Sequence, residues 1–254
     1  MAKAMIAGIA NNYNNINIYL FDILKKQYEP YMDRGFFLCE NVQEAVTAAD
    51  YIFICVRPQE FELLAGWIKE VKINNKIFIS IMAGVPISKI ISLIGHEAAI
   101  IRTMPNAPLS IGKGVTAMTR NSLVSDQDFN YIKNIFDNLG KTIVIQESQM
   151  TEIVSVNASA PAYVYLFIKA MCDGAAAQGF SGEEILELIC LTAEGSAQLL
   201  RESGKSPAEM VAAIASKGGT TEAALGVLRE RGFEQTIADA MLACTKRAEE
   251  LGKG

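Results

Sequence analysis

The stretch YIFICVRPQEFELLAGWIKEVKINNKIFISI, residues 51–81, decides the fold. Its two ends, residues 51–56 and 76–81, are apolar runs of strand length, and residues 60–69 between them have the spacing of a helix. Continuous apolar runs of this kind are typical of strands buried on both faces, which occur in parallel sheets covered by helices. The stretch therefore predicts a β–α–β unit.

The same alternation continues on both sides of this unit. Further apolar runs occupy 17–21, 35–39, 98–102, 115–119 and 141–146, and helical segments occupy 24–34, 42–49, 87–94 and 126–138. This order predicts a Rossmann-like, doubly wound α/β domain with a parallel sheet, which binds ligands beyond the carboxyl ends of its strands. Asp22, Arg57-Pro58 and Ala83-Gly84 fall at such ends, which makes them the first candidates for a cofactor site.

The first residues depart from the usual dinucleotide-binding pattern of a strand and a glycine-rich turn into a helix. Residues 1–9 already have helical spacing, with Met1, Met5 and Ile9 on one face. Gly8 lies too close to the run at 17–21 for a phosphate loop and a crossover helix to fit between them. We therefore expect the first strand and its glycine-rich loop to be missing, either because this start is late or because the protein lacks them.

The pattern after residue 148 is helical throughout. It predicts a dinucleotide-binding domain over 1–148 and an all-helical domain over 149–254. Pro161 removes one helix hydrogen bond, so we expect a kink or break near it. Capping boxes at residues 181–184 and 206–209 predict two helix starts. Alanine-rich helix faces favour close packing in a core or against a second copy of the chain, and we expect a dimer.

Composition excludes several classes of function. The net charge of −5 offers no basic surface for nucleic acid. Five scattered cysteines without a CxxC pair indicate reduced thiols in a cytoplasmic protein. Neither a signal peptide nor an apolar run of membrane length is present. His96, the one histidine, has no metal-ligand spacing around it, so we expect it to be structural or on the surface and expect no metal site.

A second informative stretch is Ser216-Lys217-Gly218-Gly219-Thr220-Thr221, between two helical segments. The glycines permit a sharp turn with uncovered N–H groups, and the following helix points its positive end at the turn. With three hydroxyl side chains the stretch could hold a small anion such as a carboxylate. The alternative interpretation is a helix–helix corner with threonine caps.

Five motifs occur in one order along the chain. They are Val56-Arg57-Pro58-Gln59, Ser80-Ile81-Met82-Ala83-Gly84-Val85, Arg102-Thr103-Met104-Pro105-Asn106-Ala107-Pro108, Ala158-Ser159-Ala160-Pro161-Ala162-Tyr163 and Ser216-Lys217-Gly218-Gly219-Thr220-Thr221. In type and order they resemble the motifs of pyrroline-5-carboxylate reductases. The resemblance spans the chain except for the glycine-rich loop, which this sequence lacks. It also departs at Ala158 and Ala160, which replace glycines, and at Lys217, which replaces a proline.

The resemblance implies an oxidoreductase of proline biosynthesis that reduces 1-pyrroline-5-carboxylate to L-proline with NADP or NAD as cofactor. The basic residue that would favour NADP is replaced by Ile23, and the choice stays open. The implied cofactor-binding residues are Asp22, Asn41, Val56, Arg57, Pro58, Ile81, Met82 and Ala83. The implied substrate-binding residues are Asn106, Ser216, Gly218, Gly219, Thr220 and Thr221. Thr221 would also be catalytic, through a hydrogen bond to the ring nitrogen.

The resemblance further implies a homodimer or a higher homo-oligomer that forms through the helical domain. Two other hypotheses remain at this point. One is a non-catalytic relative that has lost cofactor binding. The other is a hydroxyacid-type dehydrogenase, which would need a catalytic lysine in the interdomain helix; Lys169 lies there, but we interpret it as a solvated lysine.

Overall fold

The computed structural model describes residues 1–13, 15–31, 35–95 and 98–253. His96 lies outside the described residues, as does the end of the helix predicted over 24–34. The chain divides into two compact units, Met1–Ser159 together with Ala243–Gly254, and Ala160–Leu242. Residues 150–159 thus belong with the α/β unit, and the boundary at 148/149 stays a prediction for the functional domains.

The first unit contains the predicted alternation. Its strands are β1 Tyr19–Leu20, β2 Phe37–Leu38, β3 Tyr51–Ile54, β4 Ile77–Ser80, β5 Ala99–Pro105, β6 Gly114–Arg120 and β7 Gly140–Val144. Its α-helices are α1 Ala2–Asn12, α2 Val42–Ala48, α3 Phe61–Ile68, α4 Ile87–Ile94 and α5 Asp126–Asp137. A 3-10 helix, Lys25–Tyr31, follows β1, and a π-helix, Val154–Ala158, follows β7.

The strands form two sheets. One has the order β3-β4-β5-β6-β7, and β1 and β2 make a separate parallel pair. The larger sheet is parallel except that β6 runs antiparallel to β5. Residues 106–113, which join these two strands, are fewer than the dozen or so that a parallel crossover requires, so the chain turns back on itself. Within the described chain, no strand ladder connects β1 to β3.

Helices cover both faces of the larger sheet, as the apolar runs predict. Alternate residues of one strand point to opposite faces: Phe78 packs in a cluster with residues of α2, α3 and α4, whereas Ile77 and Ile79 pack with residues of α1 and α5. Burial on both faces explains why these strands have continuous apolar sequences instead of alternating ones.

The first helix has the predicted apolar face, since Met5 and Ile9 are buried. Gly8 lies inside this helix, and a Cβ there would overlap the side chain of Leu139 at 1.9 Å. Because Gly8 has no side chain, α1 can pack closely against Leu139. Gly8 is therefore not part of a phosphate-binding turn, in agreement with the sequence analysis.

Strand β5 is longer than expected. The sequence places its end at Arg102, but the strand continues to Pro105, and Arg102, Thr103 and Met104 are all buried. The first four residues of the motif at 102–108 therefore belong to β5, and Asn106 is the first residue beyond the strand. Apolar pattern alone misses this extension because Arg102 and Thr103 are polar residues inside the core.

The second unit is helical. It contains α6 Ala160–Ala177, α7 Glu183–Ser203, α8 Pro207–Ile214, α9 Thr220–Glu230 and the first part of α10 Phe233–Lys253. The break expected near Pro161 is present, since α6 begins at Ala160 directly after the π-helix and Ser159. The capping box at 206–209 is present, but the one at 181–184 is wrong: Gly182 takes the N-cap position, which leaves Ser181 one residue too far out.

Candidate functional site

The carboxyl ends of β1 and β2 carry two of the predicted cofactor residues. Asp22 follows β1 and accepts a hydrogen bond from the N–H of Leu24 at 2.8 Å. Asn41 follows β2 as the N-cap of α2 and accepts from the N–H of Glu44 at 2.8 Å. Both residues are exposed. They therefore occupy the sheet edge at which an α/β domain binds its ligands.

Val56, Arg57 and Pro58 follow β3. Val56 packs in the same apolar cluster as Phe21, which follows β1, so the ends of the two strands share one core. The Arg57 side chain is 81% exposed and forms an ion pair with Glu60 at 2.5 Å. Burial raises the pKa of the neighbouring Cys55 thiol to about 12, and the thiol stays protonated and unreactive near neutral pH.

The turn of Ile81, Met82 and Ala83 follows β4, the neighbour of β3. The Met82 side chain is buried and its N–H donates to Oγ of Ser80 at 3.2 Å, so Met82 can line a ligand site only through its backbone. The next residue, Gly84, has a φ of +78°, and a Cβ there would lie 2.0 Å from the carbonyl oxygen of Ala248. The end of α10 thus supports this turn at backbone distance.

Asn106, the first residue after β5, is buried, and both the nitrogen and the oxygen of its side-chain amide form hydrogen bonds. Its Nδ2 donates to Oδ1 of Asn157 at 3.0 Å, and its Oδ1 accepts from the N–H of Val115 at 2.9 Å. Asn157 is not among the site residues predicted from the sequence. The signal was a polar residue in the apolar segment 153–158, which usually marks a buried hydrogen-bond network.

The proposed anion site in the second unit forms at the start of α9. Gly218 has a φ of +74°, Gly219 is the N-cap, and the N–H of Gly219 donates to the carbonyl oxygen of Ser216 at 2.9 Å. A Cβ on Gly219 would lie 2.6 Å from Oγ of Ser216 and 3.0 Å from its carbonyl oxygen, so a side chain there would be crowded. The positive φ of Gly218 favours glycine at that position of the turn.

The hydrogen bonds of this turn revise which N–H groups could hold an anion. The N–H of Gly218 donates to the Glu222 carboxylate at 2.6 Å, and that of Gly219 is used within the turn. Within the described part of the chain, the N–H groups of Thr220, Thr221 and Glu222 have no acceptor. These three groups, at the positive end of α9, are the ones open to a ligand.

The described residues give little support to a metal-dependent reaction or to a dehydrogenase with a catalytic lysine. There, no group of three or more histidine, cysteine, aspartate or glutamate side chains could hold a metal ion. Lys169 is exposed and paired with Asp173 at 2.6 Å, as expected of a solvated lysine. No described helix has both the length and the apolar character needed to cross a bilayer.

Comparison with known proteins places these residues in a family. Residues 147–251 match the family model of pyrroline-5-carboxylate reductase dimerisation, and residues 1–84 match that of coenzyme F420-dependent NADP oxidoreductases. The pyrroline-5-carboxylate reductase of Escherichia coli K12 is 35% identical over 219 residues, which are 86% of this chain and 81% of that protein. The chain belongs to the pyrroline-5-carboxylate reductase family.

Solved structures of pyrroline-5-carboxylate reductases have the same fold as this family member. The enzyme of Streptococcus pyogenes superposes with a TM-score of 0.91 at 28% identity, over 98% of this chain and 95% of that one. The Plasmodium falciparum enzyme, solved with NADP bound, superposes with a TM-score of 0.88 at 27% identity, over 98% and 94%. The fold predicted from the sequence, an α/β domain followed by a helical dimerisation domain, is confirmed.

Proposed function

We propose that this protein reduces 1-pyrroline-5-carboxylate to L-proline, with NADH or NADPH as the reductant. The observation that carries the proposal is the start of α9, where a chain of this family has three open N–H groups at the positive end of a helix. The substrate has a carboxylate, which such a site binds well.

The first unit has features that fit a dinucleotide. The predicted cofactor residues all follow the carboxyl ends of parallel strands, and Phe21 and Val56 share one core there. Helix α1 packs on the larger sheet, with Met5 and Ile9 in one apolar cluster with Ile77 and Ile79 of β4. The N-terminus of a helix on such a sheet suits the phosphates of a dinucleotide. When bound, NADH or NADPH supplies the hydride.

The chain's own contribution is then mainly orientation. A protonated cyclic imine is already electrophilic, so it needs a fixed position more than an acid or a base. Thr220 and Thr221 would hold the substrate carboxylate through their N–H groups, with the Ser216 hydroxyl assisting. The Thr221 hydroxyl would hydrogen-bond the ring nitrogen and could relay a proton. The ring nitrogen keeps its proton as the imine double bond becomes a single bond.

We further propose that the protein is a homodimer or a higher homo-oligomer, formed through its helical unit. Large apolar side chains of this unit are exposed in the single chain, among them Tyr165, Leu166, Leu188, Leu191 and Leu242. An apolar surface of this kind usually marks an interface. We place the protein in the cytoplasm, where free thiols such as its five cysteines persist. The net charge of −5 does not favour nucleic acid as a partner.

An assay of purified protein with 1-pyrroline-5-carboxylate tests the proposal. We expect NADH or NADPH to be consumed and L-proline to form in equal amounts, which loss of cofactor absorbance and chromatography of the product measure. Omission of either reactant is the control. Cofactor and proline binding without any turnover would instead support the non-catalytic alternative.

A further inference from the structure

The side-chain amide of Asn157 lies in a position that fixes its orientation. Its Nδ2 is 2.8 Å from the carbonyl oxygen of Met104 and 2.9 Å from that of Val115. Only the amide nitrogen can face two carbonyl oxygens, because it has two N–H donors and the amide oxygen has none. The Oδ1 atom of Asn157 must therefore point the other way, toward Asn106.

This orientation determines that of Asn106. Since Asn157 presents an oxygen, Asn106 must present its nitrogen, 3.0 Å away, and its Oδ1 accepts from the N–H of Val115. One Asn106 N–H is then used and the second has no acceptor among the residues that the structure describes. A buried amide with one N–H to spare is a hydrogen-bond donor for a ligand.

The backbone that carries Asn157 is held by further hydrogen bonds. Residues Val154–Ala158 form a π-helix, in which the N–H of Ser159 donates to the carbonyl oxygen of Val154 at 2.9 Å. The hydroxyl of Thr245 donates a hydrogen bond to that of Ser155 at 3.1 Å. Short π-helical segments are frequent at functional sites. Asn157 lies inside this segment.

We propose that Asn157 is a positioning residue: it fixes the Asn106 amide so that one Asn106 N–H is offered to an acceptor oxygen of a bound ligand. Asn106 directly follows β5, which lies next to β4 and the Ile81–Met82–Ala83 turn, so it is at the ligand edge of the sheet. The acceptor is either a carboxylate oxygen of the substrate or the carboxamide oxygen of the nicotinamide. The inference rests on the proposed reductase function.

A double-mutant cycle on the full chain tests this role. Asn106→Ala and Asn157→Ala should each lower kcat/KM about tenfold, the size of one hydrogen bond to a ligand. The double variant should lose no more than Asn106→Ala alone, because Asn157 acts through Asn106. A rise in KM for pyrroline-5-carboxylate identifies the substrate as the acceptor, and a rise in KM for NADPH identifies the cofactor. Independent losses that multiply in the double variant would overturn the proposal.

Asn121 provides a matched control for plain structural effects. Its amide also bridges two backbone groups, with Nδ2 2.8 Å from the Ala98 carbonyl oxygen and Oδ1 3.1 Å from the Ile100 N–H, at the opposite end of β5. Asn121→Ala should lower Tm without changing either KM. If Asn157→Ala does not fold, Asn157→Ser takes its place, since a hydroxyl keeps one donor and one acceptor.

Equilibrium titrations separate failure of this inference from failure of the proposed function. If the wild-type protein binds NADPH and proline but makes no proline, the proposed function is wrong. The affinities of the variants for NADPH and proline then test the positioning role of Asn157. Asn157→Ala should then weaken one of the two ligands about tenfold relative to Asn121→Ala. Equal affinities in the two variants overturn the positioning role.

Discussion

Glu147 Oε1 lies 2.9 Å from Nη1 of Arg102, whose side chain is only 1% exposed in the middle of β5. The same carboxylate oxygen accepts the N–H of Ile87 at 3.0 Å, at the start of α4. Burial lowers the pKa of the Arg102 guanidinium, and the charge of Glu147 opposes that shift. This ion pair therefore links the central strand to the helix that follows the predicted cofactor turn.

Removal of Glu147 should be costly for stability. Glu147→Leu leaves the Arg102 charge buried without its partner, and we expect the free energy of unfolding to fall by about 3 kcal/mol, measured by urea denaturation. Glu147→Gln, which keeps an acceptor oxygen, should lose less. The exposed pair of Arg57 and Glu60 is the control, and Glu60→Gln should leave the urea midpoint nearly unchanged. Equal midpoints for Glu147→Leu and the wild type would contradict the structural role.

Gly252 should not tolerate even one methyl group. A Cβ there would lie 2.2 Å from the carbonyl oxygen of Gly84, which backbone shifts alone can relieve. We expect Gly252→Ala to destabilise the protein by about 1–3 kcal/mol in thermal or urea unfolding. Gly195→Ala is the matched control, because this helical glycine has open space around it, and it should raise stability by up to about 1 kcal/mol. The prediction fails if both variants gain stability.

Thr221 should contribute to turnover through its hydroxyl. Thr221→Ala removes the group proposed to bond the ring nitrogen, and we expect kcat to fall about tenfold or more in the NADPH-consumption assay. Thr221→Ser keeps a hydroxyl and should retain most of the activity. Thr220→Ala at the neighbouring, exposed position should have the smaller effect. Wild-type rates in Thr221→Ala would remove Thr221 from the mechanism.

Glu222 should weaken substrate binding. Its carboxylate accepts the Gly218 N–H at 2.6 Å, next to the N–H groups proposed for the substrate carboxylate, so two negative charges would share one helix terminus. Two unit charges about 4 Å apart repel by about 1 kcal/mol in water. We expect Glu222→Gln to lower KM for pyrroline-5-carboxylate about fivefold, with kcat retained.

Glu230→Gln, at the other end of α9, is the control for this charge change and should leave KM unaltered. The repulsion, and with it the gain from Glu222→Gln, should shrink at high salt. A higher KM in Glu222→Gln would mean that this carboxylate instead orders the turn for the substrate.

Much of the fold could be predicted because it depends on local pattern. The apolar runs at 51–56 and 76–81 identify strands buried on both faces, and Met5 and Ile9 identify the inner face of α1. Ser206 caps its helix as the capping box at 206–209 predicts. These features follow from interactions between residues a few positions apart, which a single sequence records directly.

The direction of β6, the end of β5 and the partners of buried polar groups depended on the tertiary structure. The sequence predicts that Arg102 ends β5, whereas the structure shows it inside the strand and paired with Glu147. The role of Asn157 follows only from its hydrogen bond with Asn106. The sequence by itself determined the α/β-then-helical order, the Gly218-Gly219 turn and the residue types of the site. Only the tertiary structure decided that Asn106 and Asn157 are partners, because they lie 51 positions apart in the chain and meet only once it has folded.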